Sequence, residues 1–344
     1  MSLTAAATMI MERVPMPDTI VSTGISAAVE RTRRRLALAE ASVEAAFAQA
    51  MAARPIAVRP DLANAQHYEL PVEFFGLILG KRGKYSCCLY DHGAETLDQA
   101  EECALTETAS HADLVDGQEI LELGCGWGSL SLWMAERFPA ARITAVSNSR
   151  SQRAYIEAEA AAREFRHLRV VTADMNEFDP GARFDRVVSV EMFEHMANWP
   201  ALLARVHSWL WTDGRLFLHV FSHRAVPSLY DHTDKNDWIA QHFFTGGIMP
   251  SHDLIRHVDA PFEVEADWRW SGLHYARTAR DWLANFDRET ELVDAILREV
   301  YGRDAALWRR RWRIFFLATA GMFGHTRGSE WGVSHYRLRP LAAR

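Results

Sequence analysis

The stretch LELGCGWGSLSLWMAERFP, Leu121–Pro139, sets Gly124, Gly126 and Gly128 between an apolar run and an amphipathic one. The run before the glycines, EILELG, has the length and composition of a buried strand. The run after them, Ser129 to Arg137, has helical spacing. Glycine lets backbone approach a ligand with no Cβ in the way. A bare turn between a strand and a helix therefore marks a binding position, because ligands of open α/β sheets sit at the carboxyl ends of the strands.

Outward from this turn, the same rhythm continues. RITAVS (Arg142–Ser147), LRVVTAD (Leu168–Asp174), FDRVVSVE (Phe184–Glu191) and GRLFLHVF (Gly214–Phe221) are short apolar, β-branched runs. Helical segments, Ser151 to Arg163 and Pro200 to Leu210, lie among them. Strands alternating with helices predict a parallel sheet covered on both faces, a doubly wound α/β fold. Before it, Ser26 to Ala53 reads as a long helix or helix pair ended by Pro55 and Pro60, after some twenty poorly ordered residues. Phe74, Phe75, Leu77 and Ile78 predict a short amphipathic helix, and Thr96 to Ala112 another with Thr96 as its N-cap. After about His223 the alternation stops. Phe262–Trp270 then reads as a strand, Trp282–Tyr301 and Ala305–Phe323 as helices, and WGVSHYRLRP as a last strand. Four segments are expected: an N-terminal tail with helices (1–60), a helical covering segment (61–112), a Rossmann-like core (113–224), and a substrate cap with the last core strands (225–344).

Composition excludes several classes. The 344 residues carry a net charge of −7, which argues against a general nucleic-acid binder. Four cysteines in a chain of this length make no disulfide framework, and the adjacent Cys87 and Cys88 read as reduced thiols of a cytoplasmic protein. No run approaches the apolar length that spans a membrane, and the first residues lack a basic leader. No metal site is expected. His219 and His223 are spaced H-x-x-x-H on a strand rather than a helix, and no C-x-x-C occurs.

The glycine spacing, G-x-G-x-G, differs from the G-x-G-x-x-G of dinucleotide sites, and no lysine follows as in a P-loop. It matches the turn that holds the amino-acid part of S-adenosylmethionine, so Gly124 and Gly126 are candidate cofactor residues. The second strand ends in VSNSRSQ rather than in an acid; Asn148 and Gln152 can hold ribose hydroxyls by donating and accepting. Asp174 is placed to accept from an adenine amino group with Met175 packed on the ring; the lesser alternative is a helix N-cap.

SVEMFEHMANW, Ser189–Trp199, places Glu191, Glu194 and His195 at the end of the fourth strand. Taken with HYELPVEFF, KYSCCLYD, ELGCGWGSL, SNSRSQ and HYARTARDW, it resembles the cyclopropane-fatty-acid synthase and coclaurine N-methyltransferase family of S-adenosylmethionine-dependent enzymes, from about Asn64 to the C-terminus. The resemblance implies a cofactor-covering loop at Tyr85–Ser86. It also implies one of two chemistries. The amine branch carries EMFEHM, as this chain does; the lipid branch usually has glycine where this chain has Glu191. The lipid branch binds bicarbonate as a base through a Cys, a Glu, a His and a Tyr, and the matching positions here are Cys87, Glu194, His219 and Tyr275.

The expected activity is methyl transfer to a small aryl-alkyl or tetrahydroisoquinoline-like amine. Such an amine arrives protonated, so Glu194 or His195 would accept its proton while Glu191 faces the ammonium or the sulfonium. Trp238, Phe243, Phe244, Trp270 and Tyr275 are candidate walls for a cationic aromatic substrate. The alternatives are an enzyme modifying unsaturated acyl chains of phospholipids with bicarbonate, and a cofactor-binding protein without catalysis. The N-terminal helices are expected to form either a homodimer contact or a lid.

Overall fold

The computed structural model describes residues 11–58, 70–91, 93–234 and 237–342; the start of the HYELPVEFF motif, and of the resemblance at Asn64, lies outside them. The strands are β1 (Glu119–Leu123), β2 (Arg142–Ser147), β3 (Leu168–Thr172), β4 (Phe184–Val190), β5 (Leu210–His223), β6 (Ser228–Leu229), β7 (Ile248–Met249), β8 (Phe262–Ser271) and β9 (Trp331–Pro340). Seven of them form one sheet in the order β3-β2-β1-β4-β5-β9-β8. Strands β3 to β5 of that order run parallel, whereas β9 is antiparallel to both β5 and β8. The expected parallel sheet is thus extended by an antiparallel edge. β1 is buried along Ile120, Leu121, Glu122 and Leu123, as befits a strand covered on both faces.

Local chemistry sets the ends of the core helices. Gly128 precedes the helix Ser129–Arg137 at φ 83°, a left-handed conformation that favours glycine. Asn198 caps Trp199–Trp209 by accepting from the Ala201 N–H at 2.9 Å. Thr96 caps Leu97–His111 in a reciprocal box with Gln99, as expected. Chain order leaves β1 toward β2 and β3 on one side and resumes at β4 and β5 on the other. The switch point therefore lies between β1 and β4, and the turns that leave these two strands are neighbours.

Two boundaries differ from the sequence reading. The segment expected to be helical from Trp282 to Tyr301 is two helices, and the first begins ten residues earlier: Gly272–Arg288, then Thr290–Tyr301. Ser271 caps it through the Leu273 N–H, and its apolar stripe already includes Tyr275, Ala276 and Ala279. At the N-terminus residues 11–13 are already helical, and the expected pair is Asp18–Leu36 and Val43–Met51. Both pack on this same chain. Val21 and Ile25 bury against Ile314, and Arg313 pairs with Asp18 at 2.7 Å. An aromatic layer of Phe74, Phe75, Phe243, Trp282, Phe286, Trp312 and Phe316 closes over the sheet end and forms the cap.

Candidate active site

The turns leaving β1 and β4 open into a cavity with an empty volume of about 1300 Å³. Gly124, Gly126, Asn148, Gln152, Asp174, Met175, Tyr85 and Ser86 all line it, so every residue singled out for the cofactor faces one space. Gly124 sits at φ +80°, and a Cβ there would lie 2.5 Å from the Met192 side chain. Gly126, at φ +52°, has nothing within 4 Å of the position a Cβ would take, so its backbone is open to a ligand. Gln152 is buried; its Oε1 accepts from Ser147 Oγ at 2.6 Å, while Nε2 has no protein partner. Ser129 Oγ and Trp127 Nε1 in the same wall are likewise buried without a partner. Unpaired donors buried around a cavity call for a polar ligand. A ribose and an amino-acid group fit them, and the residues therefore suit S-adenosylmethionine. Asp174 Oδ1 accepts from the Asn176 N–H at 2.8 Å, so this aspartate also ties its own turn.

The other half of the site is built around Glu191, which follows β4 at φ 47°, a strained position for a residue with a side chain. Its carboxylate gathers three partners from remote parts of the chain, two of them donors. Cys87 N–H donates to Oε1 at 2.9 Å, and Tyr275 O–H donates to Oε2 at 2.7 Å. His219 Nε2 lies 3.2 Å from Oε1. Burial pushes this carboxyl up, while the Lys84 charge and the Cys87 and Tyr275 hydrogen bonds pull it back toward the ionised form. Glu194 is fully buried in the short helical turn Phe193–His195. Its Oε1 accepts the Phe221 N–H at 2.6 Å and its Oε2 has no partner. Burial raises its pKa well above the ordinary carboxylate range, and the Glu191 charge adds to the rise. His195 lines the cavity with its ring 4.2 Å from that of Phe244.

None of the five expected wall residues lines the cavity itself; Phe244 packs behind His195 and Tyr275 reaches Glu191 by its hydroxyl. Phe243 is wholly buried between Trp312 and Phe315, and Trp238 packs at a tilt on Phe243 and donates its indole N–H to Glu12. Neither lines this cavity; the aromatic core of the cap satisfies both rings. Trp270 packs against His219 and His335. Other lining residues were not singled out. Lys84 is buried, and its ammonium donates to Ser86 Oγ at 2.6 Å and to the Cys87 carbonyl at 2.7 Å, fixing the loop over the cavity. Glu122, Met192 and Thr245 also face the space. A lysine next to a motif tyrosine was visible in GKYSCC, but nothing in sequence marks it as buried.

A family model described as mycolic acid cyclopropane synthetase matches residues 58–327. The chain belongs to this family. It is 34% identical over 285 residues to (S)-coclaurine N-methyltransferase of Thalictrum flavum subsp. glaucum, covering 81% of this chain and 79% of that one. Identity to the cyclopropane-fatty-acyl-phospholipid synthase of Escherichia coli K12 is 28% over 227 residues, covering 65% of this chain and 56% of the synthase. Among solved structures, a coclaurine N-methyltransferase bound to N-methylheliamine and SAH superposes with a TM-score of 0.90 at 30% identity, over 98% of this chain and 100% of that one. A cyclopropane synthase from Mycobacterium tuberculosis, at 23% identity and a TM-score of 0.67 over 80% of this chain and 97% of its own, shares the fold. Both solved structures share the fold described above, a seven-stranded S-adenosylmethionine-dependent methyltransferase sheet with flanking helices.

Proposed function

We propose that the protein transfers a methyl group from S-adenosylmethionine to the nitrogen of a small aryl-alkyl amine of the tetrahydroisoquinoline type. It is an S-adenosylmethionine-dependent methyltransferase, in keeping with its family and its coclaurine N-methyltransferase relatives. The observation that carries the choice of acceptor is the surroundings of Glu191. Cys87, His219 and Tyr275, three of the four positions that would hold bicarbonate in a lipid-modifying enzyme, converge on the carboxylate of Glu191. The chain supplies its own anion at that place, and a separate bicarbonate would meet a buried negative charge.

The bound cofactor supplies an electrophilic methyl group on a sulfonium. The residues of the chain must then hold an amine in line with it and take up the amine's proton. Glu191, held by the Cys87 N–H and the Tyr275 O–H beside the Lys84 charge, is the ionised member of the carboxyl pair and pairs with the incoming ammonium. Glu194, with Oε2 unsatisfied, is the neutral member while the site is empty. A cation beside the pair stabilises ionised carboxyl groups, so substrate binding readies Glu191, Glu194 and His195 to accept the proton. Phe244 packs its ring on His195, and Tyr275 holds Glu191 through its hydroxyl while its ring stacks on Phe323.

Isotopically labelled S-adenosylmethionine, purified enzyme and mass spectrometry test the assignment. A tetrahydroisoquinoline amine is expected to gain one methyl on nitrogen, with no dependence on added bicarbonate. Bicarbonate-dependent gain of one carbon on monounsaturated phospholipid, with no reaction at the amine, would overturn it. A chain that binds SAH and transfers to neither acceptor would instead be a binding protein.

A further inference from the structure

Behind Glu191 the histidines continue. His219 Nδ1 lies 2.8 Å from His335 Nε2, and His335 Nδ1 lies 2.8 Å from His111 Nδ1. His111 Nε2 is 2.9 Å from Glu107 Oε1, and the Glu107 side chain is 31% exposed. With His219 Nε2 on Glu191 at 3.2 Å, both nitrogens of all three rings are engaged in one unbranched file. The file crosses the sheet. His219 on β5 and His335 on β9 are direct cross-strand partners, and His111 ends the helix Leu97–His111 beneath them. His219 and His335 are completely buried.

We infer that this file is the proton exit of the active site, carrying the proton released in each methyl transfer from Glu191 through His219, His335 and His111 to Glu107 and water. The inference deepens the proposed N-methylation: as the N–C bond forms and the C–S bond breaks, one proton per turnover must leave a dry pocket. Each neutral imidazole has one N–H and one acceptor nitrogen. Three rings therefore bring three protons to four links, and a fourth proton completes the chain. With that proton on Glu191, every N–H points outward, toward Glu107. Transfer breaks Glu191 O–H and forms His219 Nε2–H; the Nδ1–H of His219 moves to His335 Nε2, and that of His335 moves to His111 Nδ1. His111 Nε2–H then protonates Glu107. Both end states have all four hydrogen bonds filled, and only Glu107 meets solvent. Return of the rings to the starting tautomers resets the file.

The surroundings keep the rings neutral, as a relay requires. Burial holds His219 and His335 well below the ordinary imidazole range, and the Lys84 charge acts in the same direction on both. Burial also lowers His111, which stacks at 3.8 Å on Trp268 and has Arg337 donating to its carbonyl; Glu107 opposes that shift. Three imidazoles in a sheet interior are a costly way to fill space, since apolar side chains of similar size need no partners.

The test compares two clocks in weakly buffered enzyme with cofactor and a tetrahydroisoquinoline amine. Quenched samples read methylated product by mass spectrometry, and a pH-indicator dye reads protons reaching bulk water. In the wild type the two should rise together. His335→Gln can donate and accept at its neighbours but cannot pass a proton through. It should bind SAH normally and form product in the first turnover. Its dye signal should lag, and steady turnover should fall roughly tenfold or more. Equal turnover with no lag in His335→Gln would overturn the proposal. Should that variant fail to bind SAH, His111→Gln at the solvent end gives the same reading, with added imidazole expected to restore the rate; no lag there would be equally fatal. Absence of product in the wild type would count against the amine reading instead. The comparison would then be run on monounsaturated phospholipid vesicles, whose conversion also releases one proton.

Discussion

The cofactor side and the carboxylate side of the cavity are built in opposite ways. The cofactor side is nearly local: the glycine turn, Asn148, Gln152, Asp174 and Met175 all follow strands within about 55 residues of one another, and much of what they offer is backbone. The carboxylate side is assembled from a distance. Cys87, His219 and Tyr275 reach Glu191 from 104, 28 and 84 residues away in sequence. A local site depends on conformation and on small residues; an assembled one depends on the whole fold holding charged side chains out of water. Mutations on the two sides should therefore fail differently, one in affinity and the other in turnover.

The sharpest division is expected at Glu191. Glu191→Gln keeps the volume and an acceptor for Cys87 but removes the negative charge, and should lower kcat by about 10²–10⁴-fold with SAH affinity unchanged. Calorimetric SAH titration beside steady-state kinetics checks this. A matched loss of affinity and turnover would show that the two sides are a single unit. Glu194→Gln and His195→Ala should follow the same pattern with smaller losses, roughly ten- to a hundredfold, because each leaves Glu191 in place.

The opposite failure is expected at Gly128. A Cβ there would sit 2.6 Å from Ile156 at φ +83°, so Gly128→Ala strains the turn twice over. A cost of about 1–3 kcal/mol is expected, read as weaker SAH binding and a lower Tm, with kcat at saturating cofactor little changed. Gln152→Leu should weaken SAH by roughly five- to tenfold, the worth of one hydrogen bond to a buried donor, and leave the pH dependence of turnover as it is.

Legibility in sequence followed the same line. The strand–glycine–helix unit, the alternation around it and the residues proposed to hold the cofactor, which all line one cavity, were readable because each signal lies within one short window. EMFEH was readable as chemistry, but its roles were not. Nothing local says that Glu191 would gather the donors expected for bicarbonate, because that follows from a positive-φ turn and from helix Gly272–Arg288 delivering Tyr275. Trp238 and Phe243 were misplaced because an aromatic residue in a cap reads alike whether it lines a cavity or fills a core. The His219–His335 contact needed the antiparallel register of β5 and β9, which pairs residues 116 apart in sequence.

An effect on stability alone belongs to Glu122, which lies on β1 yet faces the cavity and so touches both sides of the comparison. It is fully buried with Ser131 Oγ donating at 2.5 Å, and burial raises its pKa to about 7 despite that bond. A carboxyl raised in the folded state binds its proton more tightly there than in the unfolded chain. Its contribution to stability is therefore full below the unfolded pKa and is lost as pH rises through about 7. Apo protein should lose about 1–3 kcal/mol of stability from this group between mildly acidic and mildly alkaline pH. Glu122→Gln, neutral throughout, should flatten that part of the profile and raise Tm at alkaline pH relative to the wild type. Urea unfolding of both proteins across that range decides it. A parallel profile in the two proteins would mean that Glu122 stays ionised through the cavity's water, and the cavity would then be wetter on its β1 side than the buried carboxyl pair on its β4 side.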